Sequence, residues 1–103
     1  MPRTTGKKVG ELEINGNMYS IRMTDHSINQ CNLRNISVSK AVKAIKSVPY
    51  HKILDAQKIG VDVAAVHNGH TILFGFTGNR IYVVTVLDND DVFVKKSTMM
   101  VEI

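Results

Sequence analysis

The sequence predicts an α+β domain with antiparallel strands, and three observations carry that prediction. Two Asn-Gly dipeptides, Asn15-Gly16 and Asn68-Gly69, sit between runs that alternate apolar and polar residues, the pattern of a tight hairpin. Between them lies a stretch whose apolar residues repeat at helical spacing. After it the chain turns to β-branched and aromatic runs bounded by short turns. The order reads ββ-αα-β-ββββ, helices first and a strand meander afterwards, in a chain of 103 residues that fits one domain. Residues 1–8, MPRTTGKK, read as a basic disordered tail and residues 9–103 as the domain.

The first hairpin is GELEINGNMYSIRM, with strands near 10–14 and 17–23. Asn and Gly supply the two positive φ angles its turn needs. Thr24 or Asp25 then caps a helix, because a short side-chain oxygen accepts from the first free amides. That helix runs to about Arg34, where Asn35 takes the left-handed conformation that ends it. Ser37 or Ser39 caps a second helix reaching about Val48. Ala41, Ala44, Ile45 and Val48 share one side of it, and Lys40, Lys43 and Lys46 the other. Pro49 closes it, since proline cannot donate the next backbone hydrogen bond. YHKILDAQK reads as a weaker extended stretch ending at Gly60. The last third gives a hairpin, VDVAAVHNGHTILFGF, then the strand IYVVTVL, then the strand DVFVKK after the acidic turn DND.

Charge is distributed unevenly. The formal balance is +4, but residues 34–58 hold six cations against Asp55 alone. Such a segment favours phosphate-bearing or acidic partners, with a lysine-rich solvated face as the plainer reading. Cys31 is the only cysteine, which rules out an internal disulfide and points to a reducing, cytoplasmic compartment. No apolar run approaches the roughly 20 residues that span a bilayer, and no apolar stretch follows the basic start as in a secretory signal. The chain has no Gly-rich phosphate loop, HExxH, GxSxG or zinc-finger pattern, so nucleotide hydrolase, metalloprotease and serine hydrolase readings are unsupported.

Two groupings bear chemistry. A two-residue turn at Asn68-Gly69 sets His67 opposite His70, with β-carbons about 5 Å apart. Alternation puts Val63, Ala65 and His67 on one face with His70, Ile72 and Phe74, so both imidazoles stand at the rim of the more apolar face. Such a pair suits acid/base cleavage of an RNA phosphodiester by its own 2′-hydroxyl. As metal ligands the pair lacks nearby cysteines or a clear carboxylate. Otherwise these are tolerated polar residues at a hairpin tip. The second grouping is His26, Gln30 and Arg34, spaced i, i+4, i+8 as a polar stripe on the first helix. Its guanidinium offers paired donors to a phosphate or carboxylate, the plainer reading again being a solvated face. Cys31 reads as a small core residue. Arg80 in the TGNR turn and Lys95 at the last strand are cations able to stabilise a phosphorane-like transition state.

The run TDHSINQCNLRNIS, followed by the capped second helix and the meander, resembles a family of small bacterial and phage proteins allied to RelE-type toxins. Thr24, His26, Arg34, Ile36 and Ser37 match that family's pattern, and RIYVVTVL stands where it carries central strands. Gln30 replaces the usual arginine four residues after the histidine, and Asn35 the usual glycine. The resemblance implies a curved antiparallel sheet of about four to six strands with two helices on one side. It also implies a metal-independent endoribonuclease that cuts messenger RNA, often paired with an antitoxin, and it carries over His26 and Arg34 alone. A neutral amide at position 30 removes one transition-state stabiliser. The alternative is therefore a catalytically degenerate RelE-like protein that sequesters or inhibits a protein partner.

Together these readings predict proton transfer by His26, His67 and His70, aided by Arg80. They predict RNA binding by Arg34, Lys40, Lys43, Lys46, Lys52 and Lys95. RNA is the expected partner, with an antitoxin, an immunity protein or another acidic protein as the alternative. No metal, cofactor or membrane enters the prediction.

Overall fold

Asn15 and Gly16 take φ angles of +51° and +83°, which fold strand β1 (Lys7–Ile14) back onto β2 (Asn17–Met23). The computed structural model describes residues 6–67, 69–87 and 98–103. Because β1 begins at Lys7, the last two residues of the expected tail belong to a strand. Helix α1 (Asp25–Leu33) starts at Thr24, whose Oγ1 accepts from the Ser27 amide at 3.2 Å. Asn35 follows it at φ +55°, as its residue type predicts. Helix α2 (Val38–Ser47) is capped by Ser37, whose Oγ accepts from the Lys40 amide at 3.1 Å.

Beyond Pro49 the structure departs from expectation. YHKILDAQK is a third helix, α3 (Tyr50–Ile59), and not an extended stretch. A proline that ends one helix also starts another well, since its missing N–H is no loss where amides lack helical partners. Ile53 and Ala56, three residues apart, are fully buried, and Gly60 terminates the helix at φ +86°. Strands β3 (Asp62–His67), β4 (His70–Thr77), β5 (Arg80–Leu87) and β6 (Thr98–Glu102) complete the chain. The expected strand DVFVKK lies outside the described residues.

The protein is an α+β fold in which helices pack on one sheet. Among the described residues six strands run in the order β1-β2-β5-β4-β3-β6. Two details differ from the expected antiparallel sheet with two helices. There are three helices among the described residues, and the sheet is mixed, because β2 pairs β5 and β3 pairs β6 in parallel. Parallel neighbours need long connections, and the helical layer plus the β3–β4 hairpin supply one between β2 and β5. Among the described residues no helix is long and apolar enough to cross a membrane.

One face of the sheet carries the core. Ile14, Ile21, Val63, Phe74 and Ile81 are buried against Ala41, Ile45, Val48 and Ile53 of the helices. Each large side chain buried in this way contributes about 1.5–3 kcal/mol. Gly10 lets α2 approach β1, since a β-carbon there would stand 2.9 Å from Val42 Cγ1. A bulge in β5 adjusts the rest: Phe74 opposes Val83 but Leu73 opposes Thr85, leaving Val84 over. The extra residue shifts the alternation, so Val83 and Val86, three apart, both enter the core.

Candidate functional site

The bulge marks the place where β2 ends and α1 takes its position beside β5. Pairing of β2 with β5 stops at Met23↔Val83. Beyond it, Ser27 Oγ donates to the Val83 carbonyl at 2.8 Å, and the Val86 amide donates to Gln30 Oε1 at 3.2 Å. Side chains of α1 thus satisfy backbone groups that a strand would otherwise pair. One of the three residues of the expected polar stripe is accounted for by that contact. Gln30 is half-buried and turned onto β5, whereas His26 is exposed. None of its three members lines the cleft formed by α2 and the β3–β4 hairpin.

A different set of residues meets one strand over, where Ile72 of β4 pairs with the same Val86. His67 and His70 are paired directly across the β3–β4 hairpin, as the two-residue turn predicts. Their face of the sheet is the one on which α2 lies. Lys40 and Lys43, adjacent on the exposed flank of α2, lean over the same spot. The result is a cleft of about 160 Å³ lined by both histidines, both lysines and an apolar floor of Ile36, Ala44 and Ile72. Among the described lining residues there is no carboxylate, so the cleft is electrostatically suited to an anion.

His67 is held by the chain's last strand. Parallel pairing of β6 with β3 sets Glu102 opposite Val66, and the Ile103 amide donates to the Val66 carbonyl at 2.9 Å. The main-chain oxygen of Ile103 then lies 3.2 Å from His67 Nδ1. That oxygen can only accept, so this hydrogen bond requires the proton on Nδ1.

The remaining candidates lie elsewhere. Arg34 caps α1 two residues before Ile36 and does not line the cleft. Lys46 is exposed one turn beyond Lys43, and Lys52 is half-buried on α3; neither lines it. Arg80 pairs with Thr77 at the far end of β4 from His70, about seven strand steps or roughly 23 Å away. Arg80 is exposed, and its Nη1 donates to Tyr82 Oη at 3.5 Å. Lys95 is outside the described residues. Cys31 is fully buried, and desolvation pushes its thiol above the ordinary range, which suits a core residue and not a nucleophile. Among the described residues no three His, Cys, Asp or Glu side chains converge as metal ligands would.

Sequence reasoning missed the floor residues and the Ile103 oxygen. Ile36 and Ala44 were legible as apolar positions, but nothing local to STMMVEI announces a strand that docks beside His67. The structure thus defines an α+β domain with a cationic cleft bearing two histidines. The chain matches no protein-family model, no curated protein and no solved structure.

Proposed function

We propose that the protein is a metal-independent endoribonuclease acting in the cytoplasm through paired histidines. The observation that carries this reading is the convergence of His67, His70, Lys40 and Lys43 on one cleft. In the proposed step, His67 Nε2 takes the proton of an RNA 2′-hydroxyl. The 2′-oxygen attacks phosphorus, the bond from phosphorus to the 5′-oxygen breaks, and protonated His70 donates to that leaving oxygen. Lys40 and Lys43 face the negative charge that builds on the non-bridging oxygens. The products are a 2′,3′-cyclic phosphate and a 5′-hydroxyl.

Resemblance to RelE-type toxins supports the same activity, but of the three histidines expected to transfer protons this reading keeps His67 and His70 and leaves out His26. The test is cleavage of RNA in the presence of EDTA by the wild type, His67→Ala and His70→Ala. Cutting that persists in EDTA and disappears in both variants, leaving cyclic phosphate ends, supports the assignment. Cutting that survives both substitutions overturns it.

One observation favours a second reading. Gln30 stands where the resembled family has an arginine and is committed to the Val86 amide, so α1 contributes no cation there. A RelE-like protein without cleavage, whose lysine face on α2 binds an acidic antitoxin, immunity protein or host protein, fits that fact. Stoichiometric capture of an acidic protein, lost on Lys40→Glu and indifferent to His67→Ala, would distinguish it.

A further inference from the structure

We infer a second activity of the same cleft, the hydrolysis of a 2′,3′-cyclic phosphate to a 3′-phosphate by the two histidines with their roles exchanged. The inference rests on the ribonuclease reading above, whose product it consumes.

The first step leaves the site in a defined state. His67 has gained a proton from the 2′-hydroxyl, and His70 has given one to the 5′-oxygen. Those are the protonation states that the second step needs, with water in the place of the departed 5′-hydroxyl. His70 takes a proton from that water as its oxygen bonds to phosphorus. The bond from phosphorus to the 2′-oxygen breaks, and His67 returns its proton to that oxygen. Both histidines end as they began, and one water has been consumed.

Three observations carry the inference. His67 and His70 are direct partners in the β3–β4 register, which sets their β-carbons about 5 Å apart on one face. That spacing lets them flank a single phosphorus. His67 Nδ1 lies 3.2 Å from the main-chain oxygen of Ile103. The neutral ring protonated on Nδ1 and the imidazolium both donate from that nitrogen. The ring therefore keeps this hydrogen bond, and its aim, while it holds the proton between steps. Lys40 and Lys43 line the same cleft, and the cyclic ester is still an anion for them to hold. They also face the charge that builds on the non-bridging oxygens a second time.

Hydrolysis is the slower step. The 2′-hydroxyl attacks within its own nucleotide, with an effective concentration that free water lacks. Cyclic ends accumulate first and 3′-phosphate ends follow.

Cytidine and adenosine 2′,3′-cyclic monophosphates, given to the full chain in EDTA and followed by phosphorus NMR, test this. The 3′-phosphate should form alone, because the proton donor faces the 2′-oxygen, whereas hydroxide opens either bond and gives both isomers. His67→Ala and His70→Ala, each checked for folding by circular dichroism, should slow hydrolysis by at least about 10²-fold. Unchanged cyclic phosphate, a mixture of 2′- and 3′-phosphates, or hydrolysis that survives either substitution overturns the inference. Parallel reactions on RNA separate the two claims. Hydrolysis of the cyclic monophosphates by a protein that cuts no RNA removes the ribonuclease reading and leaves this inference standing. Cutting whose cyclic ends persist after the RNA is exhausted does the reverse.

Discussion

Helices α1 and α2 follow one another in the chain, are nine and ten residues long, and spend their polar side chains in opposite ways. Helix α1 carries the denser polar sequence, DHSINQCNL, yet Ser27 and Gln30 are turned inward onto the backbone of β5. Helix α2 has an ordinary amphipathic pattern with lysines on its outer flank, and two of those lysines close the cleft over the histidine pair. The difference teaches that polar density on a helix reports unmet hydrogen-bonding demand, which can come from the protein's own sheet edge as readily as from a ligand. Buried backbone groups are nearly always paired. Where β2 stops short of the end of β5, α1 supplies the pairing.

The sharpest test of this contrast is catalytic. His67→Ala or His70→Ala should slow RNA cleavage by about 10²–10⁴-fold, whereas His26→Ala and Arg80→Ala should change it by less than about threefold. A loss at His26 as large as that at His67 would return α1 to the site. Next in size is the structural role of α1. Gln30→Ala leaves the Val86 amide without its acceptor and should cost about 1–3 kcal/mol, read as a lower urea midpoint. The folded variant should still cut at the wild-type rate. If stability holds and cleavage falls, the assignment of the two helices is reversed.

Along α2 itself, Lys43→Ala should weaken oligonucleotide binding by about tenfold, the scale of one charge-assisted hydrogen bond. Lys46→Ala, one turn further and outside the lining, should weaken it by less than about threefold. Equal effects would mean that the whole lysine stripe binds as a diffuse surface. The junction between the helices is set by backbone strain. Asn35→Ala removes the short polar side chain whose local hydrogen bonding makes the left-handed region tolerable, and should destabilise by about 1 kcal/mol, seen in thermal unfolding.

The smallest effect concerns Cys31. Burial raises its thiol, so its contribution to folding is present below the ordinary thiol range and is lost as pH rises through the folded value. Iodoacetamide at mildly alkaline pH should leave the native protein unmodified and label it fully in urea. Native labelling would show that α1 opens readily from β5.

Much of the fold could be read in advance, and particular residues show why. Asn15-Gly16, Thr24, Asn35 and Ser37 act through their own or adjacent dihedrals and hydrogen bonds, so their positions announce the turn, the caps and the helix end. His67 and His70 could be set face to face for the same reason. The stretch after Pro49 misled because a proline was read as a stop without its second use as a start. Gln30 misled because its acceptor role is met by Val86, a residue remote in sequence.

By itself, then, the sequence determined the two hairpins, the capped helices α1 and α2, the face on which both histidines stand and the cationic flank of α2. All of these follow from interactions spanning a few residues. Only the tertiary structure decided the parallel pairings of β2 with β5 and β3 with β6, the bulge at Val84, the placing of Ile103 against His67 and the meeting of two lysines with two histidines. Those depend on which distant segments share the core, a choice made by packing and by the need to pair every buried backbone group.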